Sequence, residues 1–172
     1  MAIALQLLLG WLLADFLSGL LHWIEDRVLR EGDTWLSRVI VKPNRLHHAE
    51  PLRFLANGFW ARNATTWATV LLLAGAWFAA IGASLMLLAA TIGGLLANEV
   101  HRLTHAAPAK GSWLRAAQDI GIIQSPRMHA RHHRGRQDQA YCILTDWLNP
   151  ILDKVRFWER LERMLRIREA VS

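Results

Sequence analysis

Lysine and arginine are missing from two long stretches of the chain: none occurs from Met1 to Asp26, and none from Asn63 to His101. Seven fall between Arg27 and Arg62, and the other 13 between Arg102 and Arg168. A basic strip on one face of a soluble fold does not sort by chain position in this way. Alternation of apolar spans with basic loops does. The 20 Lys and Arg exceed the 14 Asp and Glu, for a net charge of +6, although 53% of the residues are hydrophobic. Such an excess of positive charge also suits a nucleic-acid partner, but the zoning follows topology and no aromatic–basic reading platform is present. A nucleic-acid module is therefore set aside.

The apolar stretches fix a topology. Ala2 to Trp23 holds one acidic residue and no basic one. As a helix it spans roughly 33 Å, enough for a hydrocarbon core. Asn63 to Asn98 is a 36-residue run without a charge. One straight helix of that length would reach roughly 54 Å, too long for a single crossing. Two antiparallel helices are expected instead, turning near Ile81-Gly82-Ala83-Ser84. The fold class is then an all-α integral membrane protein of one domain, residues 1–172, with about three transmembrane helices (2–23, 64–80 and 85–101). Residues 24–63 and 102–172 carry the positive charge and are expected on the cytoplasmic side, some as interfacial helices. Trp23, Trp60 and Trp67 fall near the expected boundaries. Ile120-Gly-Ile-Ile123 is expected to dip into the interface. From Asn149 onward, Ile151, Val155, Trp158, Leu161 or Glu162, and Leu165 recur at helical spacing, as in a helix lying on a membrane surface or one packed on its own domain. The first apolar run lacks the basic n-region and small-residue cleavage site of a secretory leader, and no transit-like segment precedes it; a bacterial inner membrane is the expected location. The single Cys142 supplies no disulfide and no cysteine cluster.

All eight histidines fall at or beyond the cytoplasmic ends of these spans. His22 closes the first. His47 and His48 lie in the first basic zone. His101 and His105 sit where the third span emerges, and His129, His132 and His133 follow. His22 and Asp26 are four apart and share a helix face, with Asp15 on that face roughly 10 Å deeper. Asn98, His101 and His105 fall on one face. A helix through "HARHH" aims two of its three imidazoles at one point, with the third nearby. Singly, His22 reads as a polar helix end and His47-His48 as loop. Collected on one membrane face, the eight point to metal.

Imidazole suits Zn, Cu, Fe and Ni, so ligand type alone does not choose. Eight exceed one ion's shell and suggest two ions with about four imidazoles each. A zinc protease would offer HExxH, but in "HRLTH" Arg102 occupies the Glu position. Soluble di-iron bundles rely on Glu and ExxH, which this chain lacks. What remains is a histidine-rich di-iron site of the kind found in membrane desaturases and hydroxylases.

The segments "DFLSGLLHWIED", "HHAEP", "NEVHRLTH", "SPRMHARHH" and "YCILTDWLNPILD" occur in an order that resembles the plasmanylethanolamine desaturase family, also called Kua or lipid desaturase-like. The resemblance runs roughly from Ala14 to Asp153. It implies that His22, His47, His48, His101, His105, His129, His132 and His133 bind two iron ions, with Asp26 as the catalytic carboxylate, a ligand or ligand support. It further implies dioxygen as co-substrate, a membrane lipid as substrate, and a separate electron donor of the cytochrome b5 or ferredoxin type. Family members form a vinyl ether from an alkyl-ether lipid or insert a double bond into a lipid-bound acyl chain. The chain departs from the family in carrying Asp146 where Gly is common and in lacking a proline in "HHRGRQDQAYC"; both bear on the lipid substrate.

Asp15, Asn98 and Asp119 are candidates to accept ring N–H bonds and orient the ligands. Asp15 serves equally well as a polar contact between helices. Arg127, Arg131 and Arg134 suit either a lipid phosphate or the ordinary cytoplasmic charge excess. Two other functions fit the same residues: a lipid hydroxylase using the same metals, and a non-enzymatic membrane metal-binding protein.

Overall fold

The computed structural model describes residues 2–106, 108–135 and 137–167. Residues 107, 136 and 168–172 of the expected cytoplasmic zone lie outside the described residues, as does Met1 of the single domain expected over 1–172. Every regular element among the described residues is helical. The long helices are α1 (Ile3–Trp23), α4 (Phe59–Ile81) and α5 (Leu85–Ala106). Shorter ones are α2 (Lys42–Ala49), α3 (Arg53–Ala56), α6 (Trp113–Asp119), α7 (Pro126–His132), α8 (Leu148–Lys154) and α9 (Phe157–Met164). The turn expected near residues 81–84 is present: Gly82 ends α4 at φ 92°, a left-handed conformation that favours glycine.

Two helices, Ile3–Val28 and Phe59–Ile81, are long and apolar enough to cross a membrane. The helix expected at 85–101 exists as α5 but is not among them. It carries Asn98, Glu99 and His101 within its length and is the element on which the others pack. α1 lies along one side of it and α4 along the other. Close approach explains the first pairing. Gly10 and Ala14 of α1 face Ala89, Gly93 and Ala97 of α5, each set at four-residue spacing. A Cβ on Gly93 would sit 2.7 Å from the Ala14 Cβ, and one on Gly10 would strike the Met86 carbonyl. On the other side Gly94 admits Val70, whose Cγ2 a Cβ would meet at 2.8 Å. At the base of that pair the Glu99 carboxylate accepts from Arg62 (2.9 Å), Asn63 (2.9 Å) and Arg102 (2.8 Å). α1 and α4 scarcely meet, so a slot opens between them with α5 as its floor.

Three expectations change on the structure. Trp23 is no interfacial anchor: it is buried, stacked 6.3 Å from Trp158 with Tyr141 beyond. The helix expected from Asn149 is broken in two at Arg156, which adopts a left-handed φ of 53°. Its second half packs on its own domain through Trp158 and an Arg27–Glu162 ion pair at 2.7 Å, leaving Ile151 and Val155 outside. The Asp15 carboxylate hydrogen-bonds neither to an imidazole nor to another spanning helix. It accepts from the backbone N–H groups of Leu144 (2.9 Å) and Thr145 (3.2 Å) and from the Thr145 hydroxyl.

Candidate metal centre

Four segments bring imidazoles to one end of the bundle. α1 supplies His22, then loosens into a π-helical turn over Ile24–Val28 that carries Asp26. Such turns recur at functional sites because the extra residue re-aims a side chain. α2 supplies His47 and His48 in its last turn. Adjacent helical residues point about 100° apart, and these two face different neighbours. α5 supplies His101 and His105 one turn apart. α7 begins with Ser125 as N-cap, its hydroxyl accepting from the Met128 N–H, and Pro126 at the first turn. It supplies His129 and His132, with His133 at its C-cap.

The eight histidines and Asp26 sort into two sets. His47, His101, His105, His129 and His133 form one; His22, Asp26, His48 and His132 form the other. Within each set one donor atom per residue lies within 4.8 Å of every other. The sets abut, with the His48 and His133 rings 5.1 Å apart between centroids. "HARHH" behaves as its spacing predicts: His129 and His133 converge, and His132 turns to the other set.

In the first set the Nε2 atoms meet directly: His101–His129 at 2.9 Å, His105–His129 at 3.0 Å, His133–His129 at 2.9 Å and His101–His105 at 3.2 Å. Neutral imidazole has one N–H, so these contacts cannot all be hydrogen bonds. Lone pairs directed at one point need a cation. For metal–nitrogen bonds of about 2.1 Å, neighbouring donors at right angles stand about 3.0 Å apart, which matches these separations. Burial supports the same reading. Desolvation, then the neighbouring imidazoles, lowers the His47 pKa to about 2 and His133 to about 3, and holds His129 well below the ordinary value. All three are neutral at pH 7, as metal ligands must be.

The second set has three imidazoles and a carboxylate. Asp26 Oδ1 stands 3.0 Å from His48 Nε2, and Oδ2 stands 3.2 Å from His132 Nε2 and 3.8 Å from His22 Nε2. Asn44 donates to Oδ1 at 2.5 Å. Backbone carbonyls orient two of the rings: His132 Nδ1 faces Gln139 O at 2.9 Å, and His22 Nδ1 faces Tyr141 O at 3.2 Å. An Nδ1–H held in this way leaves the Nε2 lone pair for the metal. Two imidazole-rich sets with one carboxylate fit iron by the chemistry of the donors.

The three expected orienting residues lie elsewhere. Besides Asp15, Asn98 turns to α4, its amide donating to the Arg62 carbonyl and to Thr66 Oγ1 at 2.9 Å. Asp119 is exposed and paired with Arg115 at 2.9 Å. The groups that do this work, the carbonyls of Gln139 and Tyr141 and the Asn44 amide, were missed. Asn44 had a signal, since it lies four residues before His48 on one helix. Carbonyl partners have none. Of the three arginines considered for a lipid phosphate, Arg131 is paired with Asp153 at 3.2 Å, while Arg127 and Arg134 are exposed.

The slot between α1 and α4 ends on this cluster. It is a cavity of about 690 Å³ whose metal-centre end is lined by His22, His47 and His101. Leu17, Val70, Leu73 and Trp77 line its run toward the α4–α5 turn. Exposed Arg38, Lys42 and Arg53 stand at its rim. A smaller polar recess of about 190 Å³ reaches Asp26 and His48 separately, past Arg27, Asn44 and Arg45.

Known proteins give this arrangement a family. The chain is 28% identical to mouse plasmanylethanolamine desaturase 1 over 95% of its own length and 65% of the mouse protein. It is 30% identical to a probable fatty acid desaturase of Acanthamoeba polyphaga mimivirus, over 92% and 80%. With the plasmanylethanolamine desaturase of Myxococcus xanthus it shares 28%, over 92% of this chain and 58% of that protein. The chain thus spans less than two thirds of the mouse and Myxococcus proteins. No solved structure matches it. The sequence profile of the lipid desaturase domain matches residues 11–172, and the chain belongs to the lipid desaturase domain family.

Proposed function

We propose that this protein is a membrane-embedded lipid desaturase that holds two iron ions and inserts a double bond into an alkyl-ether or acyl chain. The observation that carries this reading is the pairing of two converging donor sets with an apolar slot that ends on them. Two iron ions bound there supply the dioxygen-dependent oxidation in which a CH₂–CH₂ unit becomes CH=CH and, with two electrons and two protons from outside, dioxygen becomes two waters.

The residues of the chain account for the rest. The five-imidazole set is neutral and holds one cation; Asp26 adds a negative charge to the other. The slot runs past Thr65 to Trp77, about 18 Å along α4 at the helical rise. Its leucines and valines hold an extended hydrocarbon chain and exclude water from the reacting carbons. Binding along that length fixes which methylenes rest beside His22, His47 and His101, so position selectivity comes from the depth of the slot. Arg38, Lys42 and Arg53 at the rim suit an anionic headgroup. A separate donor of the cytochrome b5 or ferredoxin type delivers electrons at the same end of the bundle. In this reading α5 is a third crossing, packed against the other two with Leu88, Ile92 and Leu96 facing outward, and the metal centre faces the cytoplasm of a bacterial inner membrane, because the basic zones share its side.

The test uses the chain purified in lipid. Iron per chain is measured, and lipids are analysed by mass after incubation with an electron donor under air and under nitrogen. Loss of two hydrogens from a chain, under air alone, is the expected result. Gain of one oxygen would identify a hydroxylase instead, and bound metal with no oxygen-dependent lipid change would overturn the enzyme reading.

A further inference from the structure

The buried groups around Asp15 serve a segment that the metal centre does not explain. Asp15 lies seven residues before His22 on α1, about 10 Å along the axis from the imidazoles, and Gly93 lies eight before His101 on α5, about 12 Å away. At that level the chain is not helical. Residues 140–147 run there as irregular backbone, with Ala140 to Thr145 buried. Leu144 reaches to 3.3 Å of where a Gly93 Cβ would stand, and Ile143, Leu144 and Ile123 pack on Ala14, Ala97 and Val100.

Most of its backbone N–H groups are answered from within the protein. Asp15 takes the N–H groups of Leu144 and Thr145, and the Ser18 hydroxyl accepts that of Ile143. Asn149 both accepts from the Cys142 N–H and donates to its carbonyl. The segment is also strapped to residues 121–124 by Gln124 N–H to Leu144 O at 2.8 Å and Asp146 N–H to Gly121 O at 3.1 Å. In hydrocarbon, irregular backbone survives only when satisfied in this way. The outer side is apolar: Ile120 is 66% exposed and Ile151 60%, with Ile122 and Trp147 between them. The charged Arg115–Asp119 pair precedes this patch, and α8, seven residues long, climbs back about 10 Å to α9, where Glu162 meets Arg27 beside Trp23.

We propose that residues 120–123 and 143–151 form a re-entrant lobe that enters the membrane from the metal-centre side, beside α1 and opposite α4, with Ile120, Ile122, Trp147 and Ile151 against lipid chains. The inference rests on the membrane reading above, not on the metal or the reaction. Asp15 is then a positioning residue, an acid placed inside an apolar helix to satisfy a loop at membrane depth. The lobe also sets the strand of chain whose Gln139 and Tyr141 carbonyls orient His132 and His22.

The test is a nitroxide spin label on cysteine, read in proteoliposomes as collision with oxygen against collision with a water-soluble nickel chelate. Labels go at Ile120→Cys and Ile151→Cys, where little packing is lost, and at Leu72→Cys, a 74% exposed position on α4, and Asp33→Cys in an exposed loop as references. Cys142 is buried, and the parent chain carried through the same labelling reaction controls for it. Oxygen-rich, nickel-poor collision at residues 120 and 151, matching residue 72, is the expected result. Nickel collision matching residue 33 overturns the lobe, and so does exclusion of both reagents, which would mean a protein partner. If residue 72 also meets nickel, the membrane reading falls with it. Iron content measured on the same samples reports the metal centre independently.

Discussion

At the scale of single residues, the division of donors into five and four makes separable predictions. His132→Ala removes one of three imidazoles from the Asp26 set and leaves the other set complete. Iron is expected to fall from about two to about one per chain, with oxygen-dependent desaturation reduced more than 100-fold while the protein stays in the membrane. His105→Ala is expected to do the same from the other side, so the double variant should bind almost none; normal iron and turnover in either single variant would refute the ligand assignment. Asp15→Asn probes a different effect. The carboxylate accepts three hydrogen bonds, and an amide turns a donor toward one of those partners. A loss of about 1–3 kcal/mol is expected, read as a lower Tm in lipid with iron per chain retained below the transition. Much of this scale was legible beforehand. Zoning placed every histidine at one end, and the i, i+4 spacing in "HRLTH" and "HARHH" gave pairs that do converge. The partners of Asp15, Asn98 and Asp119 were not legible, because a short polar side chain at a helix face bonds to whatever passes it. For Asp15 that is a loop about 130 positions away in sequence.

Among the elements, three long helices and their turn followed from the charge-free runs, but what holds α1 to α5 did not stand out. Small residues at four-residue spacing are common in apolar helices, and only the partner's matching set makes them an interface. Gly93→Leu tests that interface. Even a Cβ at this position would lie 2.7 Å from that of Ala14, so the helices must separate or tilt. Their far ends carry His22 and His101, on opposite donor sets. The expected outcome is overpacking of about 1–3 kcal/mol and loss of iron from both sets, measured by thermal unfolding and metal analysis. Gly75→Ala on α4, where an added Cβ meets nothing within 4 Å, is the contrast: iron and activity unchanged, with stability equal or slightly higher. If both substitutions behave alike, close packing is not what positions the metal ends. The break between α8 and α9 was hidden for a related reason. A continuous apolar stripe predicts one helix, whereas burying Trp158 against Trp23 and Tyr141 while bringing Glu162 to Arg27 needs a change of direction, which Arg156 supplies at φ 53°.

For the molecule as a whole, the proposed reaction requires the metal end and the slot to act together, and they can be uncoupled from each end. At the metal end, buried His47 and half-buried His133 have pKa values lowered to about 2 and about 3, chiefly by desolvation. The unfolded chain takes up these protons near pH 6.5 while the folded metal-free chain does not. Stability of the metal-free form is therefore complete above about pH 6.5 and falls as the pH drops toward about 3. Its Tm is expected to decline between pH 7 and pH 5, and a Tm flat over that interval would mean the imidazoles are solvated. At the other end, Ala90 lines the slot on α5, far from any donor atom. Ala90→Trp fills the slot from its floor. A chain that threads its full length then stops short, so turnover of long-chain lipid should fall at least tenfold while iron per chain stays at the parent level. Shorter chains should be spared. Blocking that lowered iron as well would mean that the slot supports the metal site mechanically, and equal turnover of all chain lengths would mean that the hydrocarbon reaches the histidines by another path, such as the recess beside Asp26 and His48.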